Sequence, residues 1–287
     1  MLSATSIPIF APRLYADFPS SMMPDKEAKY MAKKISTKTQ HEKDFVNTFE
    51  KIAYRYDPRT VWTDFINMVA CEISNVVDLE RKEERGKSYA ATVSKYSKGD
   101  MDLFAQLETT LMTALDDNPA QDFLGKLYML LGLGVSARAQ IFTPWDVATV
   151  MSRLPLSLPG LLETLEEKGF VSIFDPACGA GCILLAIASE FVVYTKGGDF
   201  HKGLLLAGQD IDRTAAQMCY IQMSLIGCAG YVIVGDSLTH PPTGDVLLPR
   251  FAEDTDAWIT PWFFTEPWVS RVEARLVELA NHAKEKM

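Results

Sequence analysis

The chain has 287 residues, of which 48% are hydrophobic, enough for one large core or two modest ones. Its formal net charge is −9, and the acid is unevenly placed. Residues 1–140 carry 18 Lys and Arg against 19 Asp and Glu, whereas residues 141–287 carry 10 against 18. The acidic second half argues against a free-standing nucleic-acid binder, because phosphate contacts need surplus Lys and Arg.

The N-terminus has neither the basic start nor the unbroken apolar segment of a signal peptide, and the longest apolar runs are too short to span a membrane. Five cysteines, an odd number, lie within apolar segments: Cys71, Cys178, Cys182, Cys219 and Cys228. This usage predicts reduced, buried thiols in a cytoplasmic protein. None of the four histidines has metal-ligand spacing from the cysteines, so no metal site is predicted.

Three regions follow one another along the chain. Residues 1–40, rich in Pro, Ser and Lys, predict a poorly ordered arm. Residues 41–135 predict a helical domain, since apolar side chains recur every three or four residues, as in Phe45, Phe49 and Ile52. Residues 136–287 form the third region, in which short β-rich segments alternate with helical ones.

The third region contains three strand-like segments that end on acids: "VSIFD", "GLLLAGQDI" and "YVIVGDSL". Helical segments at 180–193 and 213–226 separate them. Strands and helices that alternate at this spacing predict a doubly wound α/β fold with a parallel sheet.

The acids Asp175, Asp210 and Asp236 mark the carboxyl ends of these strands, where ligands of open α/β sheets bind. Gly179 and Gly181 allow a backbone turn to approach a ligand closely. A dinucleotide would favour a third glycine and would place a diphosphate near these acids. S-adenosylmethionine (SAM), which is cationic and has no phosphate, fits better. A glycine turn that only packs a helix on a sheet is the alternative without a ligand.

Four ordered motifs resemble those of amino-methylating DNA adenine methyltransferases, above all the modification subunits of type I restriction systems. They are "QIFTP", "DPACGAGCIL", "AGQDID" and "GDSL". The resemblance covers about residues 41–250 and implies a SAM site with the ribose acid Asp210 and with Asp236 near the adenine. The implied cofactor residues are Phe142, Thr143, Pro144, Asp175, Pro176, Ala177, Cys178, Gly179, Gly181, Asp210, Ile211, Asp236, Ser237 and Leu238.

The same resemblance implies a Rossmann-like methyltransferase sheet preceded by a helical domain. It implies transfer of a methyl group from SAM to adenine N6 in DNA. It also implies a separate specificity subunit as a partner, which agrees with the acidity of the second half.

One motif of the family is missing. Asn-Pro-Pro-Phe, whose Asn and Pro oxygens orient the adenine amine while the aromatic ring stacks on the flipped base, does not occur in this chain. "HPPT" at 240–243 follows "GDSL" too closely and is interpreted as a loop. "ITPWFF" at 259–264 lies at a better distance, so Thr260, Pro261 and Phe263 are the candidates for a degenerate base site, with an aromatic edge of the core as the alternative.

The chain ends soon after this segment, so we expect an incomplete sheet with an open edge that pairs with another chain or is covered by the last helix.

Three functions remain open. The first is a trimmed, partner-dependent adenine-N6 DNA methyltransferase. The second is a catalytically impaired SAM-binding or interaction protein, such as a decoy subunit. The third is a methyltransferase for another substrate, RNA or protein.

Overall fold

The computed structural model describes residues 39–133, 143–253 and 255–285. The described helices and strands belong to one compact unit, Gln40–Met287. The arm predicted for residues 1–40 lies outside the described residues except for its last two. The predicted boundary between a helical domain and a methyltransferase domain near residue 135 stays a prediction.

The first part of this unit is helical, as predicted. Its helices are α1 Gln40–Ala53, α2 Pro58–Val77, α3 Lys82–Val93, α4 Lys98–Asp117 and α5 Phe123–Leu130. Asp57 caps α2 and Ser97 forms a capping box with Asp100 on α4, which satisfies backbone N–H groups that the first turn of a helix leaves free. The apolar stripe predicted for α1 is buried, and Phe45 packs edge-to-face against Trp62 and Phe65.

The second part alternates helices and strands. After α6 Trp145–Leu156 and α7 Leu161–Lys168 come β1 Val171–Asp175, α8 Cys182–Tyr194, α9 Phe200–Gly203, β2 Leu204–Asp210, α10 Arg213–Ile226 and β3 Ala229–Val234. The rest comprises β4 Thr243–Asp245, β5 Leu248–Arg250, β6 Asp256–Ile259, a 3₁₀ helix Pro261–Phe264 and α11 Trp268–Glu285.

The main sheet has the strand order β1-β2-β3-β6. β1, β2 and β3 are parallel, whereas β6 runs antiparallel to β3. The parallel strands confirm the predicted α/β fold class. A separate hairpin joins β4 and β5.

The two faces of the sheet are covered by different elements, because successive side chains of a strand point to opposite sides. Leu204 and Leu206 of β2 belong to the core that includes the helices, whereas Leu205 packs in a cluster with Trp268 of α11. Among the described strands, β1 pairs only with β2 and β6 only with β3, so these two are the edge strands of the sheet. The expectation that an open edge pairs with another chain or is covered by the last helix stays a prediction.

The helical part and the sheet share a continuous core. α10 packs against α2 on one side and against β3 on the other. All five cysteines are buried and unbridged. Among the helices that the structure describes, none combines the length and apolar character that a membrane crossing requires.

Candidate functional site

The acids at the ends of β1 and β2 lie close together at one edge of the sheet. Gly179, in the turn after β1, donates its backbone N–H to Oδ2 of Asp210 at 2.9 Å. Asp175 accepts from the backbone N–H of Ala177 at 3.0 Å. Burial raises the pKa of Asp175, and the negative charge of Asp210 acts in the same direction. The structure therefore brings the glycine turn and two of the three predicted acids together.

Asp210 is held in place by three backbone contacts. Its Oδ1 accepts from the N–H of Asp212 at 2.9 Å, and its own carbonyl accepts from Gly235 beyond the end of β3, also at 2.9 Å. With the contact from Gly179, each carboxylate oxygen accepts one backbone N–H. A carboxylate has about four acceptor positions, so Asp210 retains capacity for hydroxyl groups of a ligand.

Asp236 lies at the same edge but is oriented differently. Its carboxylate accepts from the backbone N–H of Leu238 at 2.9 Å, and this bond lowers its pKa. The side chain is therefore hydrogen-bonded within its own loop, two residues beyond the end of β3. The structure does not join it to the pair formed by Asp175 and Asp210.

The glycine turn depends on residues without a side chain at two positions. Gly179 has φ 54° and Gly181 has φ 93°, both in the left-handed region that other residues avoid. A Cβ on Gly181 would lie 2.8 Å from Sγ of Cys219 on α10. The turn is thus packed directly onto α10.

The remaining predicted cofactor residues surround this turn with mixed exposure. Pro176, Ala177, Ile211 and Leu238 are exposed, and Ile211 is 73% and Leu238 92% accessible. Two large apolar side chains exposed beside acids offer flanking surface for a planar ring. Cys178 is buried, and Ser237 is partly exposed beside Asp236.

The upstream segment is only partly described. Thr143 and Pro144 precede α6, whose residue Ala148 packs with Cys182 and Ala186 of α8. This contact places α6 beside the first turn of the helix that follows the glycine turn. Phe142 lies outside the described residues, so its predicted place in the pocket stays a prediction.

The candidate base site lies elsewhere, and the structure does not bring it to the acids. β6 pairs antiparallel with β3, with Ile259 opposite Tyr231, so β6 ends at the amino end of the parallel strands. Thr260 is fully buried, and its hydroxyl accepts from the N–H of Gly230 at 2.9 Å. β6 is also separated from β1 by two strands. Thr260 therefore lies at the opposite end of the sheet from the glycine turn and the acids, and its assignment to a base site stays a prediction.

Pro261 and Phe263 follow Thr260 and share its position. Pro261 is buried, and Phe263 stacks on Trp268 of α11 with 6.5 Å between the ring centroids. They correspond to the alternative reading of "ITPWFF" as an aromatic edge of the core. The "HPPT" segment begins as a loop, as interpreted, and the carbonyl of His240 accepts from Gln209 at 3.0 Å.

A buried polar network that no sequence pattern indicated lies under the glycine turn. Gln222 of α10 donates from Nε2 to the carbonyl of Ala180 at 2.9 Å and to Oδ1 of Asp122 at 2.8 Å. Asp122 is the N-cap of α5 and also accepts from the N–H of Gly125. The sequence indicates that Asp122 caps a helix, because this acid directly precedes the apolar segment "FLGKLYML". No local pattern indicates its contact with Gln222, which lies 100 residues away along the chain.

Asp122 makes the free energy of unfolding depend on pH. Burial raises its pKa to about 6, from ~3.9 in an unfolded chain. The folded protein thus binds the proton on Asp122 more tightly than the unfolded chain does. The stabilisation that results is fully present below pH ~4 and is lost as the pH rises through ~6, which lowers the free energy of unfolding by about 3 kcal/mol. We expect Asp122→Asn, which keeps the Oδ1 acceptor, to remove this decline. Urea unfolding of both proteins between pH 4 and 8 measures it, and parallel curves would contradict it.

The residues at the sheet edge fit a cationic, phosphate-free ligand. Asp175 and Asp210 are neighbouring carboxylates, and no Lys, Arg or His in the described part of the chain forms an ion pair with either. A ligand with positive charge would relieve their repulsion, whereas a diphosphate would add to it. Within residues 39–133, 143–253 and 255–285, no cluster of three potential metal ligands is present.

Comparisons with known proteins find two similar solved structures. The chain is 18% identical to a Listeria monocytogenes protein assigned to the class I S-adenosylmethionine-dependent methyltransferases, with a TM-score of 0.36, covering 72% of this chain and 55% of that one. It is also 18% identical to a type I restriction-modification methyltransferase subunit from Streptococcus thermophilus, with a TM-score of 0.33, covering 74% and 46%. The chain thus spans about half the length of these structures. No curated protein matches it.

A model of the N-6 DNA methylase family matches residues 120–279. The match includes the glycine turn, the acids of all three parallel strands and the segment with Asp122. Because it spans more than half of the 287 residues, the chain belongs to the N-6 DNA methylase family.

Proposed function

We propose that the protein binds SAM at the carboxyl edge of β1 and β2. The hydrogen bond from the Gly179 N–H to Asp210 carries this proposal, because it joins the glycine turn to the acid at the end of β2. Together with the N–H of Asp212, it also orients the carboxylate of Asp210. The absence of an ion-pair partner for Asp175 and Asp210 in the described residues supports a cationic ligand. Membership of the N-6 DNA methylase family supports SAM as that ligand.

Three parts of the edge would hold different groups of the cofactor. Asp210 would accept from the ribose hydroxyls, since its oxygens retain acceptor capacity. Asp175 would attract the positively charged part, and the exposed Ile211 would offer apolar surface to the ring. Asp236 would accept a hydrogen bond from the adenine amine once a rotation of its loop directs the carboxylate, which bonds Leu238, toward the ligand. When bound, SAM supplies an activated methyl group.

We further propose that the methyl acceptor is adenine N6 in DNA and that transfer depends on a second polypeptide. Family membership supports the acceptor, and the acidity of residues 141–287 supports the dependence, because DNA phosphates would be repelled. The position of Thr260 also supports it, since the segment closest to a base-binding motif lies at the other end of the sheet. A specificity-type subunit is the partner that these properties favour, and the predicted cytoplasmic location stays a prediction.

The burial of Thr260 also favours a second function. A protein that binds SAM and transfers no methyl group would act as an interaction or decoy subunit. It would retain the acids and the glycine turn and need no base site.

One experiment tests both functions. Calorimetric titration of the purified protein with SAM measures binding, and labelled SAM with unmethylated DNA measures transfer to adenine. Transfer is assayed with the protein alone and with cell extract, against extract alone and extract with the Asp210→Ala variant. We expect binding by the protein alone and Asp210-dependent transfer after extract is added. Binding without transfer would leave the second function, and no binding would overturn both.

A further inference from the structure

The glycine turn is held from below by one face of α10. Cys219 lies against Gly181, which has no space for a Cβ, and Gln222 bonds the carbonyl of Ala180 at 2.9 Å. Residues three apart share a helix face, so both contacts come from the same side. Gly179 then directs its N–H to Asp210 at the ligand side. Each residue of the turn thus has a different partner.

Gln222 has no freedom to turn its amide. It is fully buried, and one N–H bonds Ala180 while the other bonds Asp122. Its Oε1 accepts from the backbone N–H of Leu124 at 3.0 Å. Both donors and the acceptor of the amide are used, and reversing it would set donor against donor at Leu124. Asp122 and Leu124, both at the start of α5, therefore fix the direction in which Gln222 donates.

We propose that Asp122 and Gln222 are positioning residues for the methyl donor, and that they connect the start of α5 to the cofactor site through Ala180. This inference rests on the proposed function. Neither side chain needs to touch the ligand. They set the backbone of the turn, and the turn sets the distance between Gly179 and Asp210.

Removing the donor has a direct consequence for the turn. Ala180 is 1% exposed, so its carbonyl would be left buried without the partner that Gln222 provides. A buried carbonyl without a partner is costly, and the turn would rotate to reach water. Rotation would move Gly179 away from Asp210, so SAM affinity would fall even though no ligand contact had been deleted.

Gln222→Leu tests this role, with Gln217→Leu as a matched control. Gln217 is also a buried glutamine of α10, but it donates to Asn67 at 3.4 Å and not to the turn. At a temperature where both variants are folded, we expect Gln222→Leu to weaken SAM affinity about tenfold. We expect Gln217→Leu to leave it unchanged. Equal losses in both variants would overturn the positioning role.

A conservative change at Asp122 gives the second arm. Asp122→Asn keeps the Oδ1 acceptor that receives Gln222, so we expect it to bind SAM as the wild type does. Asp122→Leu removes that acceptor and is expected to resemble Gln222→Leu. If Asp122→Leu does not fold, the SAM affinities of Asp122→Asn and Gln222→Leu still test the inference. A loss of SAM affinity in Asp122→Asn would count against it.

A measurement without ligand separates this inference from the proposed function. Backbone hydrogen exchange of a peptide spanning 176–184 is expected to be faster in Gln222→Leu than in the wild type or in Gln217→Leu. Unchanged exchange would overturn the inference whatever the SAM titration shows. A wild-type protein that binds no SAM would instead contradict the proposed function.

Discussion

Asp210→Ala is expected to weaken SAM binding by at least about 100-fold. A hydrogen bond to a charged group contributes ~1.5–3 kcal/mol, so losing those to the ribose hydroxyls accounts for a change of this size. The variant also leaves the N–H of Gly179 without its acceptor at 2.9 Å, so the turn loses its contact on the ligand side. Isothermal calorimetry with SAM, checked by circular dichroism for intact folding, measures the effect.

Asp199→Ala is the matched control for this change. Asp199 also accepts a backbone N–H, that of His201, at the start of a helix, but it lies in the loop before α9 and not at the sheet edge. The control removes one carboxylate from the same acidic half. We expect its SAM affinity to equal that of the wild type. Intact affinity in Asp210→Ala would mean that the cofactor binds elsewhere.

Arg85→Leu is expected to lower the free energy of unfolding by about 3–5 kcal/mol, because it removes the nearer and buried charge partner of Asp78 and leaves that carboxylate only the longer ion pair with Arg81, at 3.5 Å. Arg85 is 5% exposed and donates to Oδ2 of Asp78 at 2.9 Å and to the carbonyl of Ala257 at 2.7 Å. Its guanidinium also lies 3.8 Å from the centroid of the Trp258 ring. Urea unfolding gives the free energy, and thermal melting should show a midpoint lower by roughly 10 °C.

Two further variants test this explanation. Arg81 also donates to the carbonyl of Ala257, at 3.2 Å, but its side chain is 34% exposed, so Arg81→Leu should cost only about 1 kcal/mol. Adding Asp78→Asn to Arg85→Leu should recover part of the loss, since the buried charge that then has only Arg81 as its partner is removed. Equal costs for Arg85→Leu and Arg81→Leu would contradict the explanation.

These arginines also explain where β6 lies. Both come from α3 or the residue before it, and both donate to the carbonyl of Ala257 in β6. Asp256, at the start of β6, pairs with Arg213 of α10 at 2.8 Å. β6 is therefore held beside β3 by contacts from α10 and from α3 with the residue before it, two strands away from β1.

The sequence by itself determined the parallel strands, their order along the chain and the acids at their ends. The segments "VSIFD" and "YVIVGDSL" are short and apolar, and helices separate them, so local periodicity is enough to assign them. Gly179 and Gly181 were assigned to the turn from the local sequence as well, because a turn between a strand and a helix requires backbone angles that glycine adopts easily. A cationic ligand was predicted from the side chains alone, since Asp175 and Asp210 beside the glycine turn would repel a diphosphate.

Only the tertiary structure decided which strand β6 joins and which buried groups meet. The segment "DAWITPWFF" reads as a strand followed by an aromatic turn at either edge of the sheet, and pairing with β3 depends on Arg81, Arg85 and Arg213 far away in the sequence. The contact between Asp122 and Gln222 spans 100 residues, and the orientation of Asp236 depends on a loop bond to Leu238. Partners that are distant along the chain leave no local periodicity, so only the packed fold selects them.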